Sequence, residues 1–387
     1  MDFTDSPSGK VIRTPTGYKA FLPDPLPPSF AWEIDLINSL SNADYVLGKL
    51  AAEAAKLPNP YLLIRPFIAK EAVLSSKIEG TQATLGEILA NEAGVNVDRN
   101  PDDIQEVQNY IRALEYGLNR LQELPLSLRL ITEIHFKLMQ GVRGSHATPG
   151  EFRRTQNWIG IPGCTLNTAK YVPPTPENLP DCLSSFETFL HDRSLPPLIH
   201  IALCHYQFES IHPFLDGNGR VGRLLITMLL IERNLLPSPI LYVSAFFEAT
   251  REEYYKQLYN VSRQGSWSEW LSYFLNGIAA QSLDVLSRTE RINSILFEWQ
   301  IKVASRNETV AQEIIKHLAV NPFLTIKKIS ETLNIAFTTA QRAVTKLAKH
   351  DIITQVSPGK RDRVFCAKEI LAILEEPTKI NQAFSGD

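Results

Sequence analysis

Apolar positions recur with a helical period over most of this chain. The segments Asp102–Glu123 and Ser127–Met139 each show one apolar and one polar face, and Ala31 to about Lys56 is helical by composition, broken by Pro58 and Pro60. Pro66 to Glu79 reads as a further helix that stops at Gly80, with proline at the start and glycine just past the end. Helices resume from Pro176 through His191. Leu198–Glu209 and the run Leu224–Ile231, continuing to about Asn234, are apolar enough to be core helices, and Ala249–Arg263 and Trp267–Arg291 follow.

Three regions depart from that period. Residues 1–30, rich in Pro, Ser and Thr, read as an extended arm. Trp158-Ile159-Gly160-Ile161 and Lys170-Tyr171-Val172 flank Pro162-Gly163 and read as a short hairpin with a long turn. The last module reads helix Thr309–Ala319, helix Thr325–Leu333, helix Thr338–His350, then Ile352–Val356, a Ser-Pro-Gly-Lys turn and Arg363–Cys366. That is three helices and a two-stranded wing, a winged helix-turn-helix. The fold class is therefore mainly α. The expected regions are 1–105 (arm and helices), 106–295 (helical core with the hairpin), 300–372 (winged helix) and 373–387 (tail).

A length of 387 residues suggests two or three domains, and 44% hydrophobic with 21% charged residues is ordinary for a globular protein. No apolar stretch has the length to span a bilayer. The first residues lack the basic-then-apolar layout of a signal peptide. Cys164, Cys182, Cys204 and Cys366 are scattered and read as reduced thiols, so a cytoplasmic location is expected. The net charge is −3, but residues 306–368 hold eleven Lys/Arg against five Asp/Glu; that balance of +6 leaves −9 for the remainder and marks a separate module.

The densest chemistry lies at 212–223, His-Pro-Phe-Leu-Asp-Gly-Asn-Gly-Arg-Val-Gly-Arg, directly before an apolar helix. A glycine-rich loop feeding a helix is an anion site, because the first amide N–H groups have no internal partner. Arg220 and Arg223 are three apart and share a helix face, which suits an anion between them. Asp216 is a hard-metal carboxylate, enough for Mg²⁺ when phosphates and water complete the shell. His212 has the ordinary pKa for a base at neutral pH. His200 and His205 are five apart on a helix and face different directions, so they are not read as a metal pair. Neither G-x-x-x-x-G-K-[ST] nor a G-x-G-x-x-G after a strand is present.

The loop resembles the Fic family signature H-P-F-x-[DE]-G-N-G-R-x-x-R at every fixed position, a match of about 10⁻⁸ by chance under equal residue use. Pro149-Gly150-Glu151-Phe152-Arg153 and Gln156-Asn157-Trp158-Ile159-Gly160 look like that family's approach to its flap, and residues from about Glu106 to Leu275 are similar to its core. The resemblance implies AMP transfer from ATP to a protein Ser, Thr or Tyr hydroxyl, the protein's own included. His212 would be the base. Asp216 would hold Mg²⁺ (or Mn²⁺) on the α- and β-phosphates. Gly217, Asn218, Gly219, Arg220, Val221, Gly222 and Arg223 would bind phosphate, Arg223 reaching the γ-phosphate. Ile159, Gly160, Lys170, Tyr171 and Val172 would form the flap that takes the target backbone as an added strand. Tyr254 and Tyr255 resemble a Tyr pair lining the adenosine pocket; where some members carry an Asn seven residues on, this chain has Ser262, with Asn260 nearby.

Ser75-Ser76-Lys77-Ile78-Glu79-Gly80 matches the family's [ST]-x-x-x-E-[GN] inhibitory motif. Glu79 in a last helical turn meets an unfavourable dipole and should seek a cation. The resemblance implies that Ser75, Glu79 and Gly80 belong to an inhibitory helix whose Glu79 contacts Arg223 and keeps the γ-phosphate out. An enzyme that also removes AMP, with Glu79 orienting water, stays open. In the basic module Gln341, Arg342, Thr345 and Lys346 on the third helix, with Lys360, Arg361 and Arg363 on the wing, fit DNA contact. The same module fits protein docking or a homodimer, so a DNA-binding regulator whose core senses nucleotide is the alternative class.

Overall fold

The computed structural model describes residues 4–56, 61–142, 148–161, 163–304, 309–359 and 362–378. The chain is mainly helical. It opens on an antiparallel hairpin, β1 (Gly9–Arg13) and β2 (Lys19–Pro23), where an extended arm was expected. Five-residue strands between Ser, Thr and Pro are too short for an alternation to stand out. Then come α1 (Ile34–Lys56), α2 (Tyr61–Ile78), α3 (Leu85–Glu92), α4 (Pro101–Arg120) and α5 (Leu128–Leu138). The α2 helix begins before Pro66, which lies inside it rather than at its start. The expected helix break at Pro58 and Pro60 lies outside the described residues. The unexpected α3 is set by a capping box in which Thr84 Oγ1 accepts from the Glu87 N–H and Glu87 Oε2 accepts from the Thr84 N–H.

The centre is built by α6 (Leu179–Leu190), α7 (Pro197–Ile211) and α8 (Asn218–Glu232). All of α7 is buried except Pro197 and Glu209, so its polar groups need internal partners. They have them: His200 Nε2 meets the Phe189 carbonyl, Tyr171 bonds Ser210, and His205 sits between the Gly222 carbonyl and the Tyr254 hydroxyl. Next are α9 (Ser244–Ala249), α10 (Arg251–Gln264) and the long α11 (Trp267–Lys302), against which α1 packs. No helix among the described residues is long and apolar enough to cross a membrane.

The last module holds α12 (Thr309–Val320), β3 (Phe323–Thr325), α13 (Ile326–Thr332), α14 (Phe337–Lys349), β4 (Thr354–Gln355), β5 (Val364–Cys366) and α15 (Lys368–Glu375). Its sheet has three antiparallel strands in the order β3-β5-β4, one more than the expected pair. Residue 373, the start of the expected tail, lies inside α15. Leu374 is buried there, and the carbonyls at the helix end are held by Lys70 of α2 and Arg288 of α11. Lys360 and Arg361 lie outside the described residues.

Candidate active site

The site starts where α7 ends. His212 adopts a left-handed conformation (φ 49°), which turns the chain out of the helix while its N–H still bonds the Phe208 carbonyl. Its Nδ1 lies 3.2 Å from the Glu209 carbonyl, and a carbonyl can only accept. The proton therefore sits on Nδ1 and leaves Nε2 as a lone-pair nitrogen. Burial pushes the pKa of His212 down to about 4, with the Arg153 charge adding to the effect, so the ring is neutral at pH 7.

Three residues hold the loop that follows: His135, which the sequence did not mark, and Arg153 and Asn157, which lie in the motifs leading to the flap but were given no role of their own. His135 of α5 stacks on Phe214 at 3.7 Å, accepts the Gly150 N–H at Nδ1 (2.9 Å) and meets the Asp216 carbonyl at Nε2 (3.0 Å). Buried Arg153 donates to the carbonyls of His212 (2.9 Å) and Pro174 (2.6 Å). Asn157 donates to the Phe214 carbonyl at 2.8 Å. Most of these bonds end on backbone oxygens, which carry no residue-type signal.

The phosphate-binding expectations divide. Gly217 caps α8 with φ 79°, where a Cβ would sit 2.9 Å from Met139 Sδ. No side chain caps α8, so the leading amides of Asn218, Gly219 and Arg220 face outward unclaimed by a cap. The Asn218 side chain does not face an anion: its carboxamide bonds both the N–H and the carbonyl of Phe214 at 2.8 Å and shapes the loop. Val221 cannot offer its amide, which already bonds the Gly217 carbonyl. Gly222 faces α7 instead, because a Cβ there would overlap Glu209 Oε1.

Arg220 is 4% exposed and lies 3.5 Å from both Glu106 and Asp216, yet its Nε and Nη1 make no hydrogen bond among the described residues. A buried guanidinium with unused donors fits a polyoxyanion. Asp216, 47% exposed at the mouth, keeps one oxygen on the Gly217 N–H. Among the described residues no three His, Cys, Asp or Glu side chains group around a metal position.

Arg223, 1% exposed, is held from α2 through Nε and Nη2. Nε donates to Ser75 Oγ (2.8 Å), and Nη2 donates to the Ser75 carbonyl (2.9 Å) and to Glu79 Oε1 (2.7 Å). Glu79 sits just past α2, and Gly80 turns the chain with φ 104°. Burial resists ionisation of Glu79, but Arg223 outweighs it and holds the pKa below the ordinary value. Burial likewise opposes the charge on Arg223, and Glu79 more than restores it, raising its pKa.

The Tyr pair is split. Tyr254 is core, stacked on Phe247 and bonded to His205 Nε2 at 2.7 Å, whereas Tyr255 is 39% exposed. Ser262 is buried and bonds Tyr206 rather than facing a pocket. The expected flap hairpin is reduced to one bridge, Ile159 with Tyr171, because its turn bonds internally and Pro173 and Pro174 lack the N–H groups to extend pairing. Gly160 sits against Cys164, the Lys170 ammonium lies over the Tyr259 ring, and Val172 is buried with its carbonyl accepting the Phe21 N–H of β2.

Residues 37–119 match the model described as Fic/DOC family N-terminal, and residues 125–230 match that described as Fic/DOC family. A protein adenylyltransferase Fic of Drosophila virilis is 34% identical over 169 residues, covering 41% of this chain and 32% of the relative. One of Drosophila ananassae is 32% identical over 170 residues, covering 41% and 31%. The chain thus spans about a third of the length of the curated relatives it matches. The crystal structure of a Fic family protein from Desulfovibrio desulfuricans G20 shares the fold with a TM-score of 0.59 at 21% identity, covering 88% of this chain and 98% of that one. Fic-1 from C. elegans gives 0.53 at 22% identity, covering 66% and 74%.

Proposed function

The chain carries the N-terminal and central domains of the Fic/DOC family, and from that premise we propose that it is a self-inhibited protein adenylyltransferase. The observation that carries the reading is the join of α7 to α8. One turn of chain places a neutral imidazole with a free Nε2 beside an uncapped helix N-terminus and two buried arginines.

In this reading His212 Nε2 takes the proton of a target hydroxyl as that oxygen attacks the α-phosphorus of ATP. The bond from that phosphorus to the bridging oxygen breaks, and pyrophosphate leaves. The leading amides of α8 and the guanidinium of Arg220 receive its charge, the positioning and neutralisation that phosphoryl-type transfer chiefly needs. Mg²⁺, carried by the nucleotide and held by Asp216, would neutralise the phosphates. Arg223 would bind the γ-phosphate, but Glu79 and Ser75 already hold it, and that contact supports inhibition. The bridge strand at Ile159 would receive the target backbone. The C-terminal module, with the arrangement of a winged helix, forms a separate contact surface.

Incubation with α-labelled ATP and Mg²⁺ tests the reading. Glu79→Gly should label protein much faster than wild type, and His212→Ala should abolish label in either background. Equal labelling by wild type and the Glu79 variant removes the inhibitory role, and labelling that survives His212→Ala removes the base.

A further inference from the structure

Buried Ala340, Val344 and Leu347 fix α14 against the module's core, which turns the opposite face outward. That face presents Thr338, Gln341, Arg342, Thr345 and Lys349, all exposed, and Lys346 lines the same groove. No acidic residue occurs anywhere in Phe337–Lys349. Exposed Lys327 and Lys328 in the first turn of α13 add two cations. Thirteen residues of helix span about 20 Å, and a B-form major groove about 12 Å wide admits one helix. Amide and guanidinium groups near the leading end of such a helix are the donors that read adenine and guanine edges. Phe337 is the large apolar side chain exposed on α14, so the face is polar and cationic, unlike the apolar centre of a protein-docking patch. The +6 balance of residues 306–368 within a chain of net charge −3 gives the electrostatic complement to a polyanion.

We propose that the outward face of α14 binds duplex nucleic acid, the helix lying in the major groove with Gln341 and Arg342 toward base edges and Lys327, Lys328 and Lys349 on phosphates. This surface is separate from the Arg223 pocket and stands or falls independently of the catalytic reading.

The full chain is titrated into a fluorescein-labelled duplex of about 20 base pairs, read by anisotropy. With three phosphate contacts, from Lys327, Lys328 and Lys349, affinity should fall roughly 40-fold between about 50 and 200 mM salt. Arg342→Ala with Lys349→Ala should weaken binding at low salt and lower the salt slope by about 1, since Lys349 is the phosphate contact of the pair. Both side chains are exposed, so an unchanged circular dichroism spectrum and melting temperature are expected. Three results overturn the proposal. Absence of duplex binding at low salt assigns the face to a protein partner. Binding unchanged by the double substitution places the contact elsewhere. Equal affinity for a single strand excludes a helix in the major groove.

Discussion

Glu79 Oε1 sits 2.7 Å from Arg223 Nη2 in space that Gly219 leaves open, since a Cβ at Gly219 would overlap that same oxygen. The pair is ionic, and charge separates it from a steric plug. Glu79→Gln keeps the shape and removes the charge. A charge-assisted bond exceeds a neutral one by about 1–2 kcal/mol, so AMP incorporation should rise about tenfold for Glu79→Gln and further for Glu79→Gly. Initial rates with α-labelled ATP check this; a Gln variant as slow as wild type would mean that bulk alone blocks the site.

The lowered pKa of His212 makes a second prediction. A free histidine base would lose activity as pH falls through about 6.5. Here burial moves the loss to about 4, and removing Glu79, whose charge favours the protonated ring, moves it no higher. The rate profile should be read with Glu79→Gly to open the site and Glu209→Gln to remove a carboxyl that titrates near 7. Activity should then be level from pH about 7 to about 5. A decline centred near 6.5 would show that the ring is solvated.

Glu209 supplies a third. Burial raises its pKa from 4.5 to about 7, against the pull of Arg223, and its Oε1 makes no hydrogen bond among the described residues. The folded state thus favours the neutral acid. At low pH both folded and unfolded chains are protonated and ionisation has no effect on stability. As pH rises from 4.5 through 7 the unfolded chain ionises first, so stability falls, and above 7 the deficit is constant. The full shift corresponds to about 3 kcal/mol, and partial exposure reduces it to about 1–2 kcal/mol. Glu209→Gln should therefore raise the melting temperature by about 1–2 °C at pH about 8, with only about a quarter of that gain at pH about 5. Thermal melts at the two pH values decide it; an equal gain at both would place the effect in packing rather than ionisation.

These groups differ in how visible they are in sequence. His212, Asp216, Arg220 and Arg223 fall within twelve residues, and the Ser75-to-Glu79 spacing is one helical turn, so local order brings them together. His135 and Arg153 act across 81 and 59 residues on carbonyls, which look the same whatever residue owns them. The same limit explains Val221 and Asn218. A signature marks which residues are fixed, while the atoms each one uses depend on where the helix begins, and α8 begins at Asn218. The helices α12, α13 and α14 were readable because an apolar period sums over many residues. The β1–β2 hairpin was not, because its five-residue strands are too short to show an alternation.

Gly222 shows this most directly. It belongs to the phosphate-binding signature, yet its open side faces α7: a Cβ would overlap Glu209 Oε1 and lie 3.3 Å from His205 Cε1, while its carbonyl accepts the His205 Nδ1–H. Its glycine character serves helix packing, so Gly222→Ala should carry an overpacking penalty of about 1–3 kcal/mol, offset by the roughly 1 kcal/mol helix preference of Ala over Gly. The cause can be isolated. Glu209→Ala empties the space that the new methyl group would enter, and Gly222→Ala should then cost about 1–2 kcal/mol less than in wild type, a coupling that independent sites would not show. Denaturant unfolding of the four chains at one pH near 8 measures the cycle. Additive penalties would mean that the glycine is required for backbone conformation or for the nucleotide, and that the close approach to Glu209 is incidental.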